Sequence, residues 1–538
     1  MSLGADWIRH LSRNSQLPTD PLARRAFLRQ AIWSATAFGL GLGSTSAHSQ
    51  SAQRTRFIAD PFTLGVASGY PHAQGFTLWT RLAPAPLLPD GGISEDRVSL
   101  RCEVASDAHF AKLEREYDFL TAPEIGYSAH LDVDGLRPGR EYFYRFIAGD
   151  AVSAVGRTRT LPPVASTLAR YRIAFASCQN YEHGYFTAYR KMLQDAPDLV
   201  LFLGDYIYES QWGENSVRRH LGSEANTLGG YRVRHAQYKL DADLQAVHRA
   251  GPWAFAWDDH EVDNDYAGDS SESLDPDFIS RRAAAYQAYY EHLPLPRWML
   301  PKGPNMRTYT HLDIGNLLRV YLLDDRQYRT PQPCPPANRG GSRVLDRCDE
   351  LGDPAQTMLG SEQEAWLGAA FKSSRARWNL IGQQTIFAPV DESPGAERGL
   401  WTDGWDGYPL ARARLTADLR LANLSNPVIA GGDLHCAVVT HVPGDLEDLE
   451  STPVASEFVA TSISADGRPQ SNYDRIRAEN PHIQQMRSDQ RGYTLLDFSR
   501  DRLEVSLQTV ADVRVREPSF GVQARYLVEN GRPEPQPL

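Results

Sequence analysis

The sequence predicts an α/β protein in which a small β-sandwich precedes a larger region of alternating strands and helices. Three observations predict it. Between 57 and 165, short alternating segments at 75–82, 98–104 and 136–146 are separated by turn residues such as Pro138-Gly139, the pattern of a sandwich of about 100 residues. From Tyr171 onward, short apolar runs (173–176, 198–203, 253–257, 317–323, 378–381 and 427–430) alternate with helical spacing such as Phe186, Tyr189 and Leu193. Finally, nearly every apolar run of this second region leads directly into polar residues able to hold metal ions.

The elements follow in order. Within 1–49, Arg24-Arg25-Ala-Phe27-Leu28 precedes a weakly apolar run of about 12 residues and a small-residue stretch ending at Ser49, the order of a twin-arginine signal peptide. The run is too short to cross a bilayer, so no anchor is expected after processing, and export to the periplasm or beyond is. Residues 57–165 form the sandwich, 170–512 the larger α/β domain, and 513–538 a C-terminal tail whose last residues, the Pro-rich 531–538, are expected to be loose. The chain has 538 residues, 41% hydrophobic and 23% charged, which excludes wholesale disorder. Its net charge of −11 excludes a nucleic-acid coat, though not a nucleic acid as substrate. Five cysteines are too few for a disulfide scaffold. Cys334 and Cys348 flank a Pro/Gly/Arg-rich loop and are the expected disulfide in an oxidising compartment, and Cys102 on an alternating strand is expected to be a buried thiol.

The chemistry gathers at strand ends. The first run ends in Ser177-Cys178-Gln179-Asn180, the second in Gly204-Asp205-Tyr206-Ile207-Tyr208-Glu209, the third in Asp258-Asp259-His260-Glu261-Val262-Asp263-Asn264, and a later one in Gly431-Gly432-Asp433-Leu434-His435. In α/β sheets ligands bind beyond the carboxyl ends of strands, so these four loops converge on one edge. Several carboxylates buried together require cations to neutralise them.

These clusters, with Trp405-Asp406-Gly407-Tyr408, resemble the alkaline phosphatase D (PhoD-like) family of calcineurin-like metallophosphoesterases, over about residues 57–512. The resemblance implies a four-layer αββα sandwich catalytic domain behind an Ig/fibronectin-like β-sandwich. It implies a ferric ion beside one or two calcium ions. Iron would be held by the Cys178 thiolate, the Tyr208 phenolate, His435 and Asp205, a hard trivalent ion favouring anionic donors. Asp205 would bridge to calcium, which would take oxygens from Asp259, Asp433 and Asn264. Asp406 would serve a second calcium or orient its loop, with Asp403 as the alternative. His260 would face the phosphate and stabilise charge or protonate the leaving oxygen, with Asp205 as the other catalytic residue. Glu209 and Glu261 would support the ligands. Arg234 is a further candidate phosphate clamp, outside the assigned site.

The function implied is a secreted phosphodiesterase/phosphomonoesterase in which a hydroxide held by the two metals attacks phosphorus in line. The sequence contains no Gly-x-Ser-x-Gly elbow and no phosphate-binding Gly-x-x-x-x-Gly-Lys loop to supply another mechanism. Substrates would be organic phosphates, nucleic acids or phospholipids, with the twin-arginine export machinery as a partner and no stable nucleic-acid complex. The alternatives are a phospholipase D-type secreted phosphodiesterase and a calcium-dependent periplasmic binding protein.

Overall fold

A computed structural model describes residues 56–211 and 216–538; the expected signal segment 1–49 lies outside them. The described residues build four sheets: two large ones, a five-stranded one and a two-stranded one. The first runs, edge to edge, Gln536–Pro537, Phe520–Glu529, Arg502–Val510, Arg491–Ser499, Arg170–Ala176, Leu199–Leu203, Pro252–Ala256, Val66–His72, Gly75–Arg81 and Ser128–Val133. The second runs Thr310–Ile314, Leu318–Leu322, Trp378–Gly382, Pro427–Gly431, Asp448–Val459, Ala437–Asp445 and Ile483–Arg487. The central strands of both are parallel to their neighbours.

Side-chain alternation explains why these strands are apolar throughout. In the second sheet Leu318, Val320, Leu322, Trp378, Leu380, Val428 and Ala430 face one core, shared with Phe175, Leu201 and Phe202 of the first sheet. Tyr321, Ile381 and Ile429, on the opposite face, pack with Leu367 and Phe371 of helix Gly360–Ser373 and Leu415 and Leu419 of helix Pro409–Leu421. A strand buried on both faces needs apolar residues at every position, and parallel strands joined by helical crossovers are buried in this way.

The N-terminal strands do not close on themselves. Ser68 and Gly69 pair in parallel with Pro252 and Trp253, so Val66–His72, Gly75–Arg81 and Ser128–Val133 continue the sheet that carries Arg170–Ala176, Leu199–Leu203 and Pro252–Ala256. A five-stranded sheet (Leu113–Thr121, Val98–Ala105, Glu141–Ala148, Ala151–Val152 and Gly156–Arg159) covers that end over a core of Phe76, Leu78, Leu100, Cys102, Val133 and Phe146. The sandwich legible between 57 and 165 therefore shares one of its sheets with the region that follows. Cys102 is buried, and Cys334 and Cys348 are bonded to each other.

The expectation that the last residues, 531–538, are loose is corrected, and the tail from 513 onward carries strands. Phe520–Glu529 pairs along Arg502–Val510, with Tyr526 and Val528 buried, and Gln536 and Pro537 pair with Leu527 and Tyr526. The prolines that argued against a packed element stand beside a sheet edge, where a missing N–H costs nothing.

Helix Leu228–Lys239 ends against the N-terminal strands with Lys239 buried and its ammonium 4.1 Å from the centre of the Trp79 ring. Burial pushes the Lys239 pKa down to about 7. The unfolded chain thus takes up a proton that the folded chain resists, so this residue removes stability as pH falls from about 10 to 7. K239M is expected to raise stability by on the order of 2 kcal/mol at pH 7, and by progressively less as the pH approaches 10. Denaturant titration across that range checks it; a gain independent of pH contradicts the assignment.

Candidate metal centre

The four ligand-bearing loops leave the carboxyl ends of Arg170–Ala176, Leu199–Leu203, Pro252–Ala256 and Pro427–Gly431. Hydrogen bonds sew them together at once. Cys178 N–H donates to Gly204 O at 3.1 Å and Gln179 N–H to Asp205 O at 3.1 Å. Glu261 accepts from the backbone N–H of Asp205 at 3.1 Å and of Asp258 at 2.8 Å, and from Tyr206 N–H. Gly204 is required where it stands: its φ is +103°, and a Cβ there would lie 2.4 Å from Asp258 Cβ.

Cys178, Asp205, Asp433 and His435 all adopt left-handed backbone, with φ between 52° and 62°. Such a conformation costs a non-glycine residue roughly 1–3 kcal/mol and persists where surrounding contacts dictate it, characteristically at functional sites. All four positions turn a side chain back toward the sheet edge immediately after a strand.

The result is two groups of donors that share one residue. Ligand atoms of Cys178, Asp205 and His435 lie within 4.8 Å of one another, and so do those of Asp205, Asp259 and His260. The Tyr208 hydroxyl donates to Asp205 Oδ2 at 2.8 Å and lies 3.0 Å from His435 Nε2. Asp205 Oδ1 and Asp433 Oδ2 are buried with no hydrogen-bond partner. A buried carboxylate oxygen without a partner carries a penalty of kilocalories per mole, and a cation is the partner that removes it. Burial and the neighbouring Asp258 and Asp259 carboxylates push Asp205 and Asp433 well above the ordinary carboxylate range, and burial does the same to the Cys178 thiol and the Tyr208 phenol. Burial and the nearby Arg491 push His435 down to about 3, so its imidazole stays neutral, the ligand form. This donor set of thiol, phenol, imidazole and carboxylate therefore fits a cation beside a second, oxygen-rich position.

His260 is held differently. Its Nδ1 lies 2.7 Å from Glu209 Oε2 and its ring packs 4.2 Å from the Tyr208 ring. Burial alone would lower its pKa, but the Glu209, Asp259 and Asp205 carboxylates raise it well above the usual value. Glu209 thus orients an imidazole, and Glu261 braces two ligand loops. Asn264 turns its Nδ2 to Glu272 Oε2 at 3.2 Å, and its backbone N–H donates to Glu209 Oε1 at 3.4 Å.

Asp406 is not brought to the cluster. Its carboxylate lies 2.6 Å from Arg412 Nη1 and accepts Val390 N–H at 3.1 Å, so it fixes the turn before helix Pro409–Leu421. The alternative, Asp403, does approach Asp259 and Asp265. Its oxygens, however, are taken by Arg326 at 3.0 and 2.7 Å, Arg329 at 2.9 Å and Gln332 at 2.7 Å. Arg326 also pairs with Asp258 and lies 3.7 Å from Asp259, so a guanidinium already balances this third carboxylate group. Arg234 is spent on the carbonyls of Tyr208 and Ser223 and supports the Tyr208 loop. The loop closed by the Cys334–Cys348 bond reaches the same region, where Ser342 donates to Asp265 Oδ2 through both N–H and hydroxyl.

The sequence reading missed Asp324-Asp325-Arg326, although these residues follow the apolar run 317–323 as the other clusters follow theirs. Asp324 accepts from the Trp257 indole at 2.9 Å, placing this loop beside Asp258. The signal was present, hidden because an Asp-Asp-Arg triplet reads as surface charge.

The model of the PhoD-like phosphatase family matches residues 173–507, and that of the PhoD-like phosphatase N-terminal domain matches 47–162. Alkaline phosphatase D of Bacillus subtilis (strain 168) is 43% identical over 505 residues, covering 91% of this chain and 84% of that protein. A solved structure described as "Structure of PhoD" superposes with a TM-score of 0.85 at 41% identity, covering 90% of this chain and 93% of the other. With both regions matched in order and nearly the whole length aligned in sequence and in space, the chain belongs to the PhoD-like phosphatase family.

Proposed function

We propose that this chain is an exported metal-dependent phosphodiesterase/phosphomonoesterase of alkaline phosphatase D type, with iron(III) and calcium sharing Asp205. The observation that carries the reading is the position of Asp205: it belongs to both donor groups, and one of its buried oxygens has no partner within the protein. Cys178, Tyr208, His435 and Asp205 would hold iron; Asp205, Asp259, Asp433 and Asn264 would hold calcium. When bound, the metals supply Lewis acidity and neutralise the charge of a phosphate ester.

The chain's own groups do the rest. Glu209 fixes His260 through Nδ1, which directs Nε2 toward the departing ester oxygen and lets the ring deliver a proton there. Glu261 holds the Asp205 and Asp258 loops in register through their backbone N–H groups. Arg326 keeps Asp258 and Asp259 charged and in place without entering the reaction. Substrates would be organic phosphates, with nucleic acids and phospholipids as diesters.

The packing of helices against the outer face of the second sheet, and of two sheets on one core, supports the four-layer αββα reading. The Cys334–Cys348 bond supports an oxidising compartment, in keeping with the twin-arginine leader read in residues 1–49. Among the described residues no helix is long and apolar enough to cross a membrane.

Three substitutions test the assignment. D205N is expected to lower turnover of p-nitrophenyl phosphate by more than ~100-fold while leaving the circular dichroism spectrum unchanged; undiminished turnover in metal-replete protein removes the core of the reading. C178A is expected to lose iron while retaining calcium, as read by elemental analysis. Y208F is expected to abolish a visible phenolate-to-iron charge-transfer band, and survival of that band would move iron away from Tyr208.

A further inference from the structure

The arginines around the cluster are almost all committed. Arg326 and Arg329 serve Asp403, Arg234 serves backbone carbonyls, and Arg491 donates to the carbonyls of His435, Ala465 and Ser488. Arg468 differs. It ends a loop, residues 461–468, that lies against the iron-side ligands. Ala465 N–H donates to Cys178 O at 3.2 Å, and Ser464 Oγ donates to Asn180 O at 2.7 Å. Asp466 O lies 2.6 Å from His435 Nδ1, and Asp466 N–H donates to His183 Nδ1 at 3.0 Å. Gly467 marks the closest approach, since a Cβ there would lie 2.6 Å from His435 O.

Arg468 therefore projects from a rigid segment one residue beyond its contact with a metal-ligand candidate, and its own carbonyl is fixed by Ser488 Oγ at 2.8 Å. Its side chain is 49% exposed, so a ligand arriving from solvent can reach it. The negative charge of Asp433 reaches it, which places it within electrostatic range of the second donor group. Its partner is Glu392 Oε2, 3.0 Å from Nη1. Glu392 comes from the loop 391–399, whose tip at Gly395 has φ +98° and open space around it, and whose base is closed by Ser393 and Gly399 N–H groups on Asp391. One carboxylate oxygen on one nitrogen leaves the guanidinium most of its five donors.

We propose that Arg468 is a substrate-binding, specificity-determining residue: its guanidinium takes the non-bridging oxygens of the substrate phosphate, and Glu392 holds it in place until that anion arrives. The inference rests on the phosphoesterase reading above and extends it to substrate choice. A planar fork matches two phosphate oxygens, and a phosphomonoester dianion gains more from it than a diester monoanion. Arg468 thus shifts preference toward monoesters.

The test uses full-length, metal-loaded protein and the variants R468Q, R468K and E392Q. Two readouts are taken: kcat and KM for p-nitrophenyl phosphate and bis-p-nitrophenyl phosphate, and calorimetric binding of inorganic phosphate. R468Q is expected to raise KM for the monoester about tenfold or more, and for the diester by about threefold, with kcat nearly unchanged. Phosphate binding weakens in parallel, and R468K recovers part of the loss. E392Q, which removes the competing carboxylate charge, tightens phosphate about threefold. Unchanged phosphate binding and KM values in R468Q overturn the proposal, as does weaker phosphate binding in E392Q. If the wild type binds phosphate but hydrolyses neither ester, the phosphoesterase reading fails, and Arg468 is judged by calorimetry alone.

Discussion

The structure is organised by a charge problem. Asp205, Asp258, Asp259, Glu209 and Glu261 are buried at one sheet edge, and Asp433 is half-buried beside them. Carboxylates in such proximity cannot all ionise in a low-dielectric interior unless positive charge enters with them. The chain supplies part of it: Arg326 neutralises Asp258 and Asp403 and leans on Asp259, and His260 neutralises Glu209. Asp205 and Asp433 remain, each with an oxygen that meets no protein donor. The remaining charge is what metal ions provide.

That demand explains the local backbone. Ligands from four loops must turn inward directly after a strand, and in three of the loops they do so through left-handed residues, Cys178, Asp205, Asp433 and His435. The unfavourable conformations are held by the ladder behind them, where Leu199–Leu203 pairs on both sides with Arg170–Ala176 and Pro252–Ala256, and by Glu261 across the loop tips. A cation held there would supply the compensating stability.

Much of this was legible because the parallel strands, buried on both faces, are written as unbroken apolar runs, and a cluster of donors at the end of such a run stands out. Cys178, Asp205, Tyr208, Asp259, His260 and His435 come together in space as that pattern implied. Asp406 shows the limit: Trp405-Asp406-Gly407 looks like a ligand motif, but a helix-borne arginine six residues on, Arg412, claims the carboxylate. Asp324-Asp325-Arg326 was passed over because pairing across loops is invisible in one dimension. The edge strand Phe520–Glu529 and the junction of Val66–His72 with Pro252–Ala256 escaped for a related reason. Backbone ladders leave no mark on side-chain patterning, so a sheet shared by two sequence regions reads as two separate structures.

The central claim is that two cations share Asp205 and that hydrolysis depends on both. The measurement that tests it most directly is metal content by elemental analysis, taken alongside hydrolysis of bis-p-nitrophenyl phosphate before chelation, after it and after calcium is restored. The account predicts iron retained through mild chelation, calcium and turnover lost together, and turnover returning with calcium. Full hydrolysis by protein shown to contain neither metal would contradict it.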